Sequence, residues 1–119
     1  MNVNEILIPR LRELVPKVYP GICREKPVPD EYMILAYDDE TPEIYSGDQD
    51  TVEVTNISVH YFVRGDPTDM KKKIRAVLRG EGFIVGETLT MSEADTGFEH
   101  IVVSASISDV CDDYQEGAD

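Results

Sequence analysis

The side chains in this chain that could do acid–base or metal chemistry are few, and their placement is what makes them interesting. There are two histidines, His60 and His100, and two cysteines, Cys23 and Cys111. His60 lies in "TVEVTNISVHYFV", Thr51 to Val63, where Ile57, Val59, Tyr61 and Val63 alternate on the odd positions. Strand side chains alternate faces with period two. His60 therefore shares the even face with Val52, Val54 and Phe62. His100 precedes a second alternating run, Ile101, Val103, Ala105 and Ile107. Both imidazoles fall on one sheet face, on neighbouring strands. Two readings are open, a metal pair or two packed or solvated imidazoles. No carboxylate or Cys follows at ligand spacing, which favours the second. The cysteines have no local base beside them and read as reduced, semi-buried thiols.

Other motifs are weaker. "RGEGFIVG", Arg79 to Gly86, has its glycines after a helix and before a strand, whereas a phosphate cradle needs the reverse order. Lys71, Lys72, Lys73, Arg75 and Arg79 put five of the 11 basic residues on one helix. That helix face contacts an acidic partner or nucleic acid, or is simply solvated. No stacking aromatics flank it, as a single-strand binder would want. The acidic stretch Asp38–Asp50 lacks the ligand spacing of a calcium loop, Asp48 and Asp50 included. Ile44 and Tyr45 are apolar residues within it, which either tuck onto their own fold or dock into a partner.

A single domain is expected over residues 1–110, with an acidic, frayed tail over 111–119. The chain has 119 residues, 41% hydrophobic and 29% charged, with a net charge of -13. Such a surface opposes a nucleic-acid backbone, because phosphate neutralisation needs Lys and Arg. No run is apolar enough to span a membrane, and the N-terminus lacks the pattern of a signal peptide, so a cytoplasmic compartment is expected.

The elements that must hold these residues follow from periodicity. Leu7, Leu11, Leu14 and Val15 predict a first helix that begins near Ile8 or kinks at Pro9. A minor strand is expected near Val18–Cys23 and a buried strand over Glu31–Asp39, followed by a loop or extended hairpin tip over Asp39–Asp50. "DPTDMKKKIRAVLRGEG" predicts a helix with Asp66 as N-cap, Pro67 in first position, Met70, Ile74, Val77 and Leu78 facing the core, and Gly80 as the stop. Phe83, Val85, Leu89 and Met91 are expected along one strand, with Glu87 breaking the apolar set. The fold class is α+β, ordered α-β-β-β-α-β-β. It has a mainly antiparallel sheet of about four strands and both helices on one face. The final strand is expected between Thr51–Val63 and Phe83–Met91. The other sheet face then has no helix to cover it. A partner covers the even face, or a bulge near Thr55–Asn56 returns Val52 and Val54 to the core.

Four stretches together, "YMILAYDDETPEIYSGDQD", "VEVTNISVHYFVRGDP", "DPTDMKKKIRAVLRGEGF" and "EADTGFEHIVVSASI", with the N-terminal helix, resemble a known family. It comprises the small tail-completion, tail-terminator and head–tail joining proteins of long-tailed bacteriophages and prophages. The resemblance spans about Ile6 to Asp109 and rests on element order and loose patterns. It implies a non-enzymatic structural protein with no catalytic residue, cofactor or metal. Such a protein assembles as a ring, often a hexamer, that caps the tail tube and meets head-side connector proteins. It would be found in the bacterial host cytoplasm during assembly and then in the virion. Glu40, Thr41, Pro42, Glu43, Ile44 and Tyr45 match a loop that reaches neighbours in such assemblies, with Val52 and Val54 beside it. No sequence-specific nucleic-acid binding and no membrane contact are implied. The alternative is a small-molecule-binding or regulatory α+β module, since this architecture hosts many functions.

Overall fold

Alternating apolar residues build three long strands, and the computed structural model, which describes residues 2–44 and 51–110, joins them into one sheet. The elements are α1 (Val3–Arg12), β1 (Val18–Pro20), β2 (Glu31–Ile44), β3 (Thr51–Val63), α2 (Thr68–Gly80), β4 (Ile84–Glu93) and β5 (Phe98–Val110). The sheet has five strands in the order β1-β2-β3-β5-β4. All neighbours are antiparallel except β1, which runs parallel to β2 over Val18–Pro20. The fold is α+β, with β1 as a fifth strand beside the four expected. β5 lies between β3 and β4, the arrangement expected for a crossover through α2.

One face of this sheet is the core. Met33 and Leu35 of β2, Ile57, Val59 and Tyr61 of β3, and Ile101, Val103 and Ala105 of β5 are buried together there. Val3, Leu7, Ile8 and Leu11 of α1 and Ile74 and Leu78 of α2 close over them. Both helices therefore cover the same face. Met70 and Val77 pack at its edge.

Helix α1 differs from the sequence expectation. It starts at Val3, with the Asn2 side chain accepting from the Glu5 N–H at 3.3 Å, and runs through Pro9. Pro9 is on the exposed side of the helix, and so is Glu5, whose carbonyl loses its partner. Water can serve that carbonyl, so the interior proline is tolerated. In α2 the Asp66 carboxylate accepts from the Thr68 N–H at 3.0 Å and from its hydroxyl at 2.6 Å, but it stands one residue ahead of the expected capping position: the helix begins at Thr68, so Pro67 is the N-cap and not the first helical residue, and it has no side chain with which to cap. The stop is Gly82 and not Gly80. Gly82 has φ +91°, its N–H donates to Arg79 O at 3.0 Å, and Phe83 N–H donates to Leu78 O at 2.9 Å. This double bond pattern ends helices on a left-handed residue, and Gly80 is still helical.

Two irregularities decide which residues face where. A register shift lies on β2 between Tyr37 and Asp39. β3 runs in unbroken register against β5 from Val52 to Val63, so no bulge at Thr55–Asn56 returns Val52 and Val54 to the core. A second shift lies on β4 between Val85 and Thr88. Of Phe83, Val85, Leu89 and Met91, expected along one strand, Phe83 falls just before β4 and the other three do not share a face. Phe83 and Val85 reach the core, but beyond the bulge Leu89 pairs with Val102 and Met91 with His100, on the opposite face. A one-residue slip exchanges the two faces of everything after it.

Candidate functional site

Opposite the helices, the sheet face carries a row of rings. Tyr32, Phe62, His100 and Met91 are register neighbours across β2, β3, β5 and β4, and Ile34, His60, Val102 and Leu89 form the next row. Phe62 stacks on Tyr32 at 4.6 Å and on the His100 ring at 4.0 Å. Phe98 meets Tyr32 edge-on at 5.9 Å, and the Arg64 guanidinium lies 4.4 Å from the centre of the Phe98 ring. Stacking buries this end of the face without a helix: Tyr32 and Phe98 are buried, while Leu89 and Met91 remain 48% and 44% exposed.

The two histidines share this face, as expected, and they are in contact. His60 Nδ1 and His100 Nε2 are 3.0 Å apart. Ser58 Oγ lies 3.0 Å from His60 Nε2 and 3.0 Å from Asp38 Oδ1. A carboxylate only accepts, so the Ser58 hydroxyl donates to Asp38. His60 Nε2–H must then donate to Ser58, which leaves His60 Nδ1 bare to accept from His100 Nε2–H. Every proton in the chain points toward Asp38. His100 Nδ1 is the free basic nitrogen, with Glu93 Oε2 at 3.7 Å.

Burial pushes both imidazoles below their ordinary range, more than Asp38 raises His60 or Glu93 raises His100; His60 adds to the lowering at His100. The network is thus a hydrogen-bonded strap across three strands, in which burial favours the uncharged form of both imidazoles. Its polarity is opposite to what activates a serine, because Ser58 gives its proton to an acid and not to an imidazole. Ser58 is also buried. No group of three or more His, Cys, Asp or Glu suited to a metal occurs among the described residues. Sequence reasoning placed the histidines together but missed Ser58 and Asp38. Ser58 was visible on the even face; Asp38 is brought in only by the β2 irregularity.

Beside this strap is a concavity of about 380 Å3, lined by Asp38, Asn56, Ile84, Gly86, Ser104 and Ser106 among others. Gly86 lies at the β4 bulge, where a Cβ would meet the Ser104 carbonyl at 3.5 Å.

The residues proposed to meet partners lie elsewhere. Glu40, Thr41, Pro42, Glu43 and Ile44 are the far half of β2, paired with Thr55 through Thr51. They form the extended arm of a hairpin, the second of the two expected alternatives, and not a loop: the acids and Pro lower strand preference, but the ladder with β3 carries them. Tyr45 lies outside the described residues, as do Asp48, Asp50, Cys111 and the 111–119 tail. Val52 stands opposite Glu43 and Val110, and Val54 opposite Thr41 and Ser108, with Val54 half-buried. This hairpin is far from the histidine strap only along the strands; both belong to the same three-strand ribbon. Cys23 is a free thiol. Among the described residues, no helix is long and apolar enough to cross a membrane.

No protein-family model matches the chain, and no curated protein matches it. Among solved structures, a chain from the virion of a native gene transfer agent particle shares the fold. The TM-score is 0.55 and the identity 14%, covering 81% of this chain and 81% of that one.

Proposed function

We propose that this chain is a structural component of a phage-type particle, which caps the tail tube and joins head to tail as a ring of identical subunits. The observation that carries this reading is the likeness in fold to a virion component over four-fifths of both chains. A match of that extent in both directions relates two proteins of similar size, not one small motif inside a larger protein. Three features of the chain support it. The β2–β3 hairpin extends strands of 14 and 13 residues, longer than the helices need for packing. The surface carries an acidic excess of 13 charges, which suits a channel wall that DNA must pass without sticking. The polar network on the open face is wired as a strut, not as a nucleophile. The partners in this reading are the tail-tube protein, the head-side connector proteins and further copies of the chain.

A second reading, a small-molecule-binding module, is favoured by the concavity lined with Asp38, Asn56, Ser104 and Ser106. Its polar groups would suit a hydroxylated ligand.

Removing the gene from the element that encodes it, with complementation in trans, tests the first reading. Val54→Asp and Tyr45→Asp put a charge where an assembly contact is proposed, and an unpaired charge in a packed interface is costly. Both variants are expected to fold, by circular dichroism, and to leave heads and tails unjoined. Full-titre complementation by both folded variants would remove these positions from the interface. Normal particles without the gene would overturn the function.

A further inference from the structure

The two edges of the sheet are built differently. β1 is three residues long and ends on Pro20, which blunts that edge. β4 is the other edge, ten residues long, and among the described residues no strand pairs with its outer side. Residues 84–93 contain no Lys, Arg or Pro. The bulge lies near the start of β4, between Val85 and Thr88, so Thr88 to Glu93 run in regular register with β5. α2 packs beside β4 on the covered face, yet Leu89, Thr90, Met91 and Ser92 are all exposed. Leu89 and Met91 belong to the open face, and Thr88, Thr90 and Ser92 to the other. An edge of this kind presents a row of N–H and C=O groups that templates a further strand.

We infer that β4 pairs antiparallel with β4 of a second copy of this chain, about a two-fold axis at Thr90. The residues set the register. Opposed residues of an antiparallel pair share a face. With Thr90 opposite Thr90, Leu89 of each copy faces Met91 of the other, and Thr88 of each faces Ser92 of the other. Apolar then meets apolar on the open face and hydroxyl meets hydroxyl on the other, both favourable cross-strand pairs. A slip of two residues puts either Glu93 opposite Leu89 or Glu87 opposite Met91. In the matched register Glu87 and Glu93 meet only where the ladder ends, at the bulge. This match on both faces selects a second copy over an unrelated strand. The contact is isologous, one patch meeting itself. A ring joins unlike patches, so this pairing does not rest on the proposed ring, and either can fail alone. Such a short ladder buries less than the about 1,200 Å2 of a standard stable interface, so the pair depends on concentration. Two bodies of net charge -13 repel, and salt screens that repulsion without weakening apolar contacts, so added salt strengthens the pair.

Disulfide trapping of the full chain tests the pairing. In a Cys23→Ser/Cys111→Ser background, Thr90→Cys puts the new thiol on the axis, where facing Cα atoms about 4.5–5.5 Å apart are within a disulfide's reach. Mild oxidation is expected to link Thr90→Cys to itself. Thr88→Cys and Ser92→Cys should each link about tenfold less alone than when mixed in equal amounts. Leu89→Lys/Met91→Lys sets lysines opposite one another, and should cut the Thr90→Cys links about tenfold. Glu87→Lys should raise them, because each new cation meets Glu93 of the other copy. Sedimentation equilibrium of the unaltered chain needs no variant, and its monomer–dimer equilibrium should tighten as salt rises from about 0.05 to 0.5 M. Equal linking at all three cysteine positions, a chain that stays monomeric at millimolar concentration, or a dimer that weakens with salt would overturn the inference. So would β4 amides protected from hydrogen exchange at every concentration, because the chain itself would then cover the edge.

Discussion

The two faces of the same sheet are held by different chemistry. On the helix-covered face, Ile57, Val59, Ile101 and Val103 are fully buried against Leu7, Leu11, Ile74 and Leu78. On the open face, the same strands carry rings, two imidazoles and a buried serine, closed over by stacking and hydrogen bonds. Apolar burial is non-directional and tolerant, so the first face fixes stability. Stacked rings and a directional hydrogen-bond chain have fewer solutions, so the second face holds three strands in one register. The contrast teaches that an uncovered face need not be an empty one. Part of it is self-sealed by Tyr32, Phe62, Phe98 and His100, and among the described residues its exposed large apolar groups lie on the β4 side, at Ile84, Leu89 and Met91.

Three experiments would sharpen or break this contrast. The largest effect is expected on the covered face. Ile74 is fully buried, and Ile74→Ala should lower stability by about 2–5 kcal/mol in denaturant melts. A loss within about 0.5 kcal/mol would mean that α2 does not anchor the core.

The strap should give a smaller, pH-dependent effect. His60 and His100 are held below their ordinary value in the folded chain, so the unfolded chain takes up protons more readily. The stability they contribute is complete above the ordinary histidine value. It should decline as pH falls through that value toward the lower folded ones. His100→Gln keeps a donor for His60 and removes one titrating group, so its stability should depend less steeply on pH between 7 and 5. Equal slopes in urea melts of the two proteins would show that the imidazoles are not desolvated.

The smallest effect belongs to Leu89 and Met91. Each is nearly half exposed, and Leu89→Ser should change stability by no more than about 0.5 kcal/mol. A loss near that of Ile74→Ala would return Leu89 to the core and contradict the β4 register.

Much of this was legible in the residues themselves. The strand order, the covered face and α2 followed from period-two and period-3.6 patterns, because both patterns are strong and their caps are chemical. The shared face of the two histidines also followed from alternation, but their contact depends on the register of β3 against β5. The losses have specific physical causes. A bulge at Gly86–Glu87 inverts all that follows; Glu87 breaks the apolar alternation there, but Leu89 and Met91 resume it on the odd positions, so the change of face is not visible. The far half of β2 is poor in strand formers and is ordered by its partner strand, a long-range effect. Asn2 overrides the start that Pro9 suggested, because a cap and an exposed proline are compatible.

The central claim is that this chain is built into a particle at the junction of head and tail. Cryo-electron microscopy of particles purified after induction of the host that carries the gene tests it most directly. The proposed function predicts a ring of density at the head-proximal end of the tail tube into which this fold docks. Particles that lack the chain, by mass spectrometry and by density, would contradict it.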